Sequence, residues 1–123
     1  MTQSSAHLAL SGIRVVNCGQ ILAAPFCSTL LGEFGAEVVK VEQPGKGDPN
    51  RGNLSFAQDN RNQKSVTLDV LRPQGKALFR KLCDASDVLV ENFRPGTLEK
   101  WELAPDSLRE TNPGLVVVRI SGY

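Results

Sequence analysis

The sequence predicts an α/β fold, in which a parallel sheet is flanked by helices. Short runs of apolar, mostly β-branched residues alternate along the chain with segments whose apolar residues recur at helical spacing. In chain order these elements read β-α-β, a long polar stretch, β-α-β, short helices and a last β. Because strands that alternate with helices form parallel sheets through right-handed crossovers, we expect a Rossmann-like sheet.

The first β-α-β unit begins with the apolar run at residues 13–16 (IRVV), which ends in the polar turn NCGQ. Pro25 suits the first turn of the following helix, because the amide hydrogen that proline lacks has no helical partner there. The helical spacing is carried by Phe26, Leu30, Leu31 and Phe34. Gly35 ends the helix, and residues 37–42 (EVVKVE) predict the second strand.

Residues 44–64 form a long polar stretch that is rich in glycine, asparagine and charge. Loops of this length inside compact domains are usually functional or mobile. The cations of this stretch can pair with phosphates or carboxylates, or they can be solvated charges of a loop. They are Lys46, Arg51, Arg61 and Lys64.

The second half of the chain repeats the alternation of strands and helices. Alternating β-branched residues predict a strand at residues 65–69, and Pro73 starts the helix after it. Further along, Thr97 can cap a short helix and Pro105 opens another. Residues 115–120 (LVVVRI) predict a last, strongly apolar strand.

The apolar run at residues 88–90 (VLV) predicts a buried strand, which is followed by Asn92, Phe93 and Arg94 and by a Pro-Gly turn. In open α/β sheets, ligands lie just beyond the carboxyl ends of strands. An amide, an aromatic ring and a guanidinium at that position suit a ligand with a flat base and phosphates. The alternative is that Asn92 caps the turn, Phe93 fills the core and Arg94 is solvated.

Composition argues against several classes of protein. With 123 residues, of which 41% are hydrophobic and 22% are charged, the chain has the size and balance of one globular domain. A net charge of +1 gives no electrostatic case for a nucleic acid or membrane partner, and no apolar run approaches the roughly 20 residues of a membrane span. The first eight residues (MTQSSAHL) lack the order of a signal peptide, which predicts a cytoplasmic protein with a flexible tail at residues 1–8.

The cysteines and the histidine argue against further chemistries. Cys18, Cys27 and Cys83 include no CxxC pair, so neither a disulfide framework nor a metal site is expected. The single histidine, His7, lies in the predicted tail. That position argues against Ser-His or Cys-His catalysis within the chain.

Several segments, taken in order, resemble the N-terminal part of the family III CoA-transferases. This group includes formyl-CoA transferase, carnitine CoA-transferase and the α-methylacyl-CoA racemases. The similarity runs from about Leu8 to Tyr123. The matching segments are residues 10–16 (LSGIRVV), 24–27 (APFC), 35–42 (GAEVVKVE), 44–48 (PGKGD), 60–65 (NRNQKS), 68–69 (LD), 87–96 (DVLVENFRPG), 112–113 (NP) and 121–123 (SGY).

The resemblance implies that residues 9–123 form a Rossmann-like region that binds coenzyme A, as the truncated N-terminal part of a larger, interlocked homodimer. The positions that match the family's coenzyme A contacts are Gln20, Ile21, Leu22, Ala23, Gln43, Leu68, Asp69, Val70, Leu71, Asn92, Phe93, Arg94 and Lys100, with Arg72 as a further candidate. Among these, Leu68 and Val70 can flank the adenine, and the basic side chains can neutralise phosphates. Family members often have an aspartate where Asn17 stands, and some have a basic residue in place of Gln43 or Leu71.

The resemblance also implies an activity. Coenzyme A would move from an acyl-CoA to a carboxylic acid acceptor, as a substrate and not as a tightly bound cofactor. In the family, an aspartate further along than Tyr123 takes the acyl group as a mixed anhydride, and coenzyme A then forms an enzyme-bound thioester. No catalytic residue is therefore assigned within this chain, and Asp69 and Glu91 are given structural roles at their turns.

Two alternatives to the transferase remain at this point. Racemases of the same group use an acid/base pair from their later region to move an α-proton. The chain can also be a non-catalytic module that binds coenzyme A or another nucleotide. This second alternative predicts ligand binding without acyl exchange.

Overall fold

The computed structural model describes residues 7–122. Within them the chain forms five strands, which are β1 (Arg14–Asn17), β2 (Glu37–Glu42), β3 (Lys64–Thr67), β4 (Val88–Glu91) and β5 (Val116–Arg119). The helices of the same part of the chain are α1 (Ala23–Glu33), α2 (Leu54–Asp59), α3 (Pro73–Asp84), α4 (Thr97–Lys100) and α5 (Pro105–Arg109). Every strand pairing is parallel. The predicted α/β fold, a parallel sheet with flanking helices, is confirmed.

The order of the strands determines where a ligand can bind. The sheet has the order β3-β2-β1-β4-β5, so the chain first extends the sheet on one side of β1 and then on the other. The direction in which the chain adds strands to the sheet reverses between β1 and β4, which are neighbours in the sheet. In doubly wound sheets this reversal opens a crevice at the carboxyl ends of the two strands, and ligands bind there.

Each side of the sheet has its own core. Neighbouring residues of a strand point to opposite faces, so Val15 and Val16 of β1 belong to different clusters. Val15 packs with Ala24 of α1 and with Val38 and Val90. The larger cluster, on the side of α3, α4 and α5, comprises Val16, Cys18, Val41, Phe79, Cys83, Leu89, Leu98, Leu103, Leu108 and Leu115.

Helix α1 packs on the sheet through its small residues. Ala24, Ser28 and Gly32 are buried, whereas Phe26 and Leu30 are each 39% exposed, and Phe34, directly after the helix, is 58% exposed. The helix that the apolar spacing predicts is therefore present, but its largest apolar side chains face away from the sheet. The small residues explain this orientation, because they allow the backbone of α1 to approach the sheet closely.

The third strand and the long polar stretch differ from the predictions. Strand β3 begins at Lys64 and ends at Thr67, so Asp69 lies in the loop after the strand and not at its end. Residues 44–64 are not one continuous loop, because α2 forms within them. The side chains that hold this stretch in place come from β2 and from the loop itself.

The start of α4 also differs from the prediction. Gly96 is the cap of this helix and has a left-handed backbone conformation, with φ of 87°. Thr97 is therefore the first helical residue, and it makes no side-chain capping bond. Glycine takes a positive φ without a steric cost, which lets the chain turn sharply into the helix.

Part of the sequence lies outside the described residues. The predicted tail at residues 1–8 is described only at His7 and Leu8, and Tyr123 is not described. Among residues 7–122, no helix combines the length and the apolar character that crossing a bilayer requires.

Candidate functional site

A cleft lies at the carboxyl ends of β1, β2 and β4. We refer to it as the main cleft. It is lined by Cys18, Gln20, Val41, Glu42, Gln43, Leu68, Asp69, Val70, Leu71, Phe79, Phe93, Leu98, Trp101 and Leu103. Its position is the one at which open α/β sheets bind their ligands.

The walls of the main cleft are mainly apolar and include aromatic rings. Phe93 and Trp101 meet edge to face, with ring centroids 5.0 Å apart. Phe79 and Leu98 are buried behind them and belong to the larger core cluster. An apolar cleft with aromatic walls and a few polar groups suits a flat heterocycle such as a purine base.

The loop that carries Leu68 to Leu71 is fixed against α3. A Cβ atom on Gly75 would lie 2.0 Å from the backbone oxygen of Asp69, so only glycine permits this close approach. The Asp69 carboxylate accepts a hydrogen bond from the backbone N–H of Leu71, at 3.1 Å. Asp69 therefore has the structural role at its turn that the sequence predicts.

The loop after β1 is joined to the end of β4 by Asn92. The Asn92 side chain accepts a hydrogen bond from the Gln20 N–H and donates one to the Gln20 carbonyl, both at 2.8 Å. Gly19 makes the approach possible, because a Cβ atom there would lie 2.2 Å from Ala24 Cβ and 2.5 Å from Asn92 Oδ1. Asn92 therefore sets the width of the crevice between β1 and β4.

Glu91 stabilises the turn after β4 through its carboxylate. Its carboxylate is buried, accepts a hydrogen bond from the Phe93 N–H at 2.7 Å and pairs with Arg119 Nε at 2.7 Å. Arg119 of β5 also binds Glu99 of α4. Hydrogen bonds from Arg119 to these two carboxylates raise the pKa of its guanidinium. Glu91 is thus structural, as predicted.

A buried ion pair holds the start of the polar stretch against the sheet. Lys40 Nζ of β2 lies 2.8 Å from Asp48 Oδ2, and the two side chains are 1% and 0% exposed. The ammonium also donates to the Gly19 carbonyl at 3.2 Å. Lys40 therefore links the polar stretch directly to the loop after β1.

Glu42 is a second anchor for the polar stretch. Its carboxylate accepts hydrogen bonds from Arg51, from the hydroxyl of Ser65 and from the backbone N–H of Asp48. Burial alone would raise the pKa of Glu42, but these hydrogen bonds outweigh burial and hold the pKa at about 2, below its ordinary value of 4.5.

The low pKa of Glu42 predicts acid sensitivity. A carboxylate with a depressed folded-state pKa stabilises the fold fully above its unfolded pKa, here 4.5, and this contribution is lost as the pH falls towards about 2. We expect the free energy of unfolding to drop by about 3 kcal/mol over that window. Glu42→Gln should be less stable at pH 7 and should flatten the pH profile in urea denaturation, whereas Glu110→Gln, at an exposed position, should leave the profile unchanged.

Cys18 lines the main cleft but is not a reactive thiol. It is 7% exposed, and its Sγ lies 3.7 Å from the Val90 carbonyl. Burial raises the pKa of the Cys18 thiol strongly, so the side chain stays protonated and acts as a small core residue. Among residues 7–122, no three His, Cys, Asp or Glu side chains are placed to hold a metal ion.

A second cleft adjoins the first at the ends of β4 and β5. It is an open depression lined by Ala23, Asn92, Phe93, Arg94, Pro95, Ile120, Ser121 and Gly122. Asn92 and Phe93 thus stand next to the loop after β1 on one side and to this cleft on the other. Arg94 is exposed and places a cation at the rim.

The family of the chain follows from a match to a family model. The model described as CoA-transferase family III matches residues 10–123, which is nearly the whole sequence. The chain belongs to CoA-transferase family III.

Named relatives within family III agree with this assignment. The chain is 50% identical to the succinyl-CoA–L-malate CoA-transferase alpha subunit of Chloroflexus aurantiacus, over 95% of this chain and 30% of the relative. It is 40% identical to the formyl-CoA:oxalate CoA-transferase of Rhodopseudomonas palustris, over 94% of this chain and 29% of the relative. The chain therefore spans about 30% of the length of these family III relatives.

Solved structures of similar sequence share the fold. The protein Rv3272 from Mycobacterium tuberculosis superposes with a TM-score of 0.88 at 43% identity, over 94% of this chain and 34% of that chain. A CAIB/BAIF family protein from Brucella suis gives a TM-score of 0.87 at 35% identity, over 95% of this chain and 34% of that chain.

The structure brings most of the predicted coenzyme A residues of this family III chain to the two clefts. The main cleft contains Gln20, Gln43, Leu68, Asp69, Val70, Leu71 and Phe93, and the second contains Ala23, Asn92, Phe93 and Arg94. Four predicted residues are absent from both walls and are exposed nearby or at the rim. They are Ile21, Leu22, Arg72 and Lys100. Arg72 lies 3.7 Å from the carboxylate of Asp69.

Several groups of the site are not predicted by the sequence patterns. Trp101 and Leu98 show helical spacing, which predicts a short helix but does not show that the helix forms a wall of the cleft. Asp48 and Asn50 are not predicted as site residues either. Their only local signal is that an aspartate and an asparagine flank a proline in a glycine-rich stretch, which predicts a turn.

Proposed function

We propose that this chain is the coenzyme A-binding part of an enzyme that moves coenzyme A between two carboxylic acids. The observation that carries the proposal is the pair of adjoining clefts at the β1–β4 reversal of a family III chain. One cleft offers apolar and aromatic walls, and the other has a cation at its rim. Coenzyme A combines a purine base, phosphates and a long thiol arm, so it needs surfaces of both kinds.

The proposed binding mode follows from the chemistry of the walls. The adenine would lie in the main cleft, between the loop that carries Leu68 and Val70 and the ring of Phe93. Arg94 and Lys100 would neutralise phosphates, with Arg72 as a further cation. Arg72 is less available for this role, because it lies close to the Asp69 carboxylate. The loop from Gln20 to Ala23 would border the ligand on the side of β1.

The chemical step would use a carboxylate beyond position 123. That assignment rests on the family resemblance, in which an aspartate takes the acyl group as a mixed anhydride before coenzyme A returns as a thioester. Within the described residues, Asp69 and Glu91 are occupied by hydrogen bonds to their own turns. We therefore assign residues 9–123 to ligand binding and none of them to the covalent step.

The remaining parts of the proposal concern the whole protein. The substrates would be an acyl-CoA and a carboxylic acid acceptor, and coenzyme A would exchange with solution as a substrate. The protein would act in the cytoplasm as an interlocked homodimer. The family III relatives described above carry CoA-transferase names, which favours the transferase over the racemase.

An exchange assay separates the two activities. The full-length protein would be incubated with succinyl-CoA or formyl-CoA and with malate or oxalate, and new thioesters would be identified by mass spectrometry. A transferase forms the acceptor's thioester. A racemase instead incorporates deuterium at the α-carbon of a 2-methylacyl-CoA in heavy water, without forming a new thioester.

Arg94→Ala tests the proposed binding mode. Loss of a hydrogen bond to a charged group costs about 1.5–3 kcal/mol, so we expect coenzyme A to bind roughly ten to a hundred times more weakly in isothermal titration calorimetry. The matched control is Arg61→Ala, which removes an arginine that pairs with Glu33 at the far end of α1. Equal affinities of the two variants for coenzyme A would show that Arg94 is a solvated charge that does not contact the ligand.

A further inference from the structure

Ile21 has a backbone conformation that its side chain disfavours. Its φ is 67°, in the left-handed region, where a β-branched residue is a genuine outlier. Its side chain is 55% exposed, so burial does not account for the choice of isoleucine or for the conformation. Such outliers persist only where the surroundings determine the backbone, and they cluster at binding and active sites.

The surroundings of Ile21 are side chains that bind its backbone. Asp48 accepts a hydrogen bond from the Ile21 N–H, with both carboxylate oxygens within 3.1–3.2 Å. Asn50 Nδ2 donates to the Ile21 carbonyl at 3.3 Å. Asn92 binds both backbone groups of the preceding residue, Gln20. Side chains from distant segments therefore satisfy all four backbone groups of this dipeptide.

Asp48 and Asn50 are themselves held in place. Asp48 pairs with the buried ammonium of Lys40, and its backbone N–H donates to Glu42 at 2.8 Å. The Asn50 N–H donates to Asp48 Oδ1 at 2.8 Å, and Asn50 Nδ2 also donates to the Ser55 hydroxyl at 2.9 Å. This clamp is thus built on strand β2 and on the start of α2.

We propose that Asp48 and Asn50 are positioning residues for coenzyme A binding. They hold Ile21 in the left-handed conformation, and through it they fix the loop from Gln20 to Ala23 beside both clefts. Neither residue belongs to the walls of the two clefts, so they act through Ile21 and not through contact with the ligand. This inference rests on the proposed function of the same site.

A cycle of variants in the full-length protein tests the proposal. Asn50→Asp keeps an acceptor for Asn53 and a partner for Ser55, but it sets a carboxylate against the Ile21 carbonyl. We expect this change to weaken coenzyme A binding about tenfold, which corresponds to 1.4 kcal/mol. In an Ile21→Gly background the same change should weaken binding less than about threefold, because glycine adopts positive φ without help. Isothermal titration calorimetry measures the coenzyme A affinity of the unmodified protein, of Asn50→Asp, of Ile21→Gly and of the double variant.

Controls separate this inference from simpler explanations. Gln58→Glu adds the same charge at an exposed position of α2 and should leave the affinity unchanged. If Asn50→Asp does not fold, as judged by circular dichroism, Asn50→Ala takes its place in both backgrounds. Equal losses in the two backgrounds, or no loss in either, would overturn the positioning role. Absence of coenzyme A binding by the unmodified protein would instead overturn the proposed function, and the inference with it.

Discussion

Gly19→Ala is expected to destabilise the fold by about 3 kcal/mol and to weaken coenzyme A binding at least roughly tenfold. The added Cβ atom would lie 2.2 Å from Ala24 Cβ and 2.5 Å from Asn92 Oδ1, which are contacts that real structures do not show. Relief requires either that α1 moves away from the sheet or that Asn92 releases Gln20. Both movements open the crevice between β1 and β4, so stability and ligand affinity should fall together.

Gly52→Ala is the matched control for this prediction. Gly52 lies in the exposed part of the polar stretch, and a Cβ atom there would meet nothing within 4 Å. Alanine at such a position should be neutral or slightly stabilising, because it restricts the unfolded chain. Urea denaturation and calorimetric titration measure both variants. If Gly19→Ala behaves like Gly52→Ala, the loop after β1 is not constrained by its contact with Asn92.

The strands were the most predictable part of the fold. Residues 37–42 form β2 with the predicted boundaries, because the three valines among these six residues favour a strand. The end of β3 was not predictable in the same way. The alternation that marks that strand continues to Asp69, but the last residue in register with β2 is Thr67, and the last backbone hydrogen bond to β2 comes from the Leu68 N–H.

The orientation of α1 could not be read from its sequence. Helical periodicity shows that Phe26, Leu30 and Phe34 share a face, but it does not show which face meets the sheet. Close packing determines which face meets the sheet, because Ala24 and Gly32 allow α1 to approach the sheet more closely than the large side chains would permit. A stripe of large apolar residues is therefore an incomplete guide to the core when a stripe of small residues lies opposite.

The candidate site was predictable where it depends on the order of the strands and unpredictable where it depends on the path of the polar stretch. Asn92 and Gln20 are 72 residues apart, yet each follows a strand, and adjacent parallel strands bring their carboxyl ends together. The hydrogen bonds that Asp48 accepts from Ile21 and Lys40 depend instead on how a polar stretch folds back. No local pattern encodes that path.

Lys40→Met is expected to destabilise the protein by about 3–5 kcal/mol, the usual cost of removing one partner from a buried ion pair. Methionine nearly matches the aliphatic part of lysine, so the core volume changes little. What changes is that Asp48, whose side chain is fully buried, loses the ammonium at 2.8 Å and remains as an uncompensated charge. The Gly19 carbonyl loses its donor at the same time.

The same substitution at an exposed ion pair gives the control. Lys64 of β3 pairs with Glu37 at the surface, where the lysine side chain is 73% exposed. Surface pairs contribute about 0–1 kcal/mol, so Lys64→Met should be close to neutral. Urea denaturation at pH 7 measures the free energy of unfolding of both variants.

A second change separates the charge of Asp48 from its hydrogen bonds. Asp48→Asn in the Lys40→Met background removes the uncompensated charge but keeps an oxygen that can accept from the Ile21 and Asn50 N–H groups. We therefore expect the double variant to be about 1–3 kcal/mol more stable than Lys40→Met alone. An interaction energy of this size is usual between two residues that are in contact. A double variant no more stable than the single one would mean that Lys40 stabilises the fold chiefly through the Gly19 carbonyl. The loop after β1 would then be tied to β2 directly, without depending on the polar stretch.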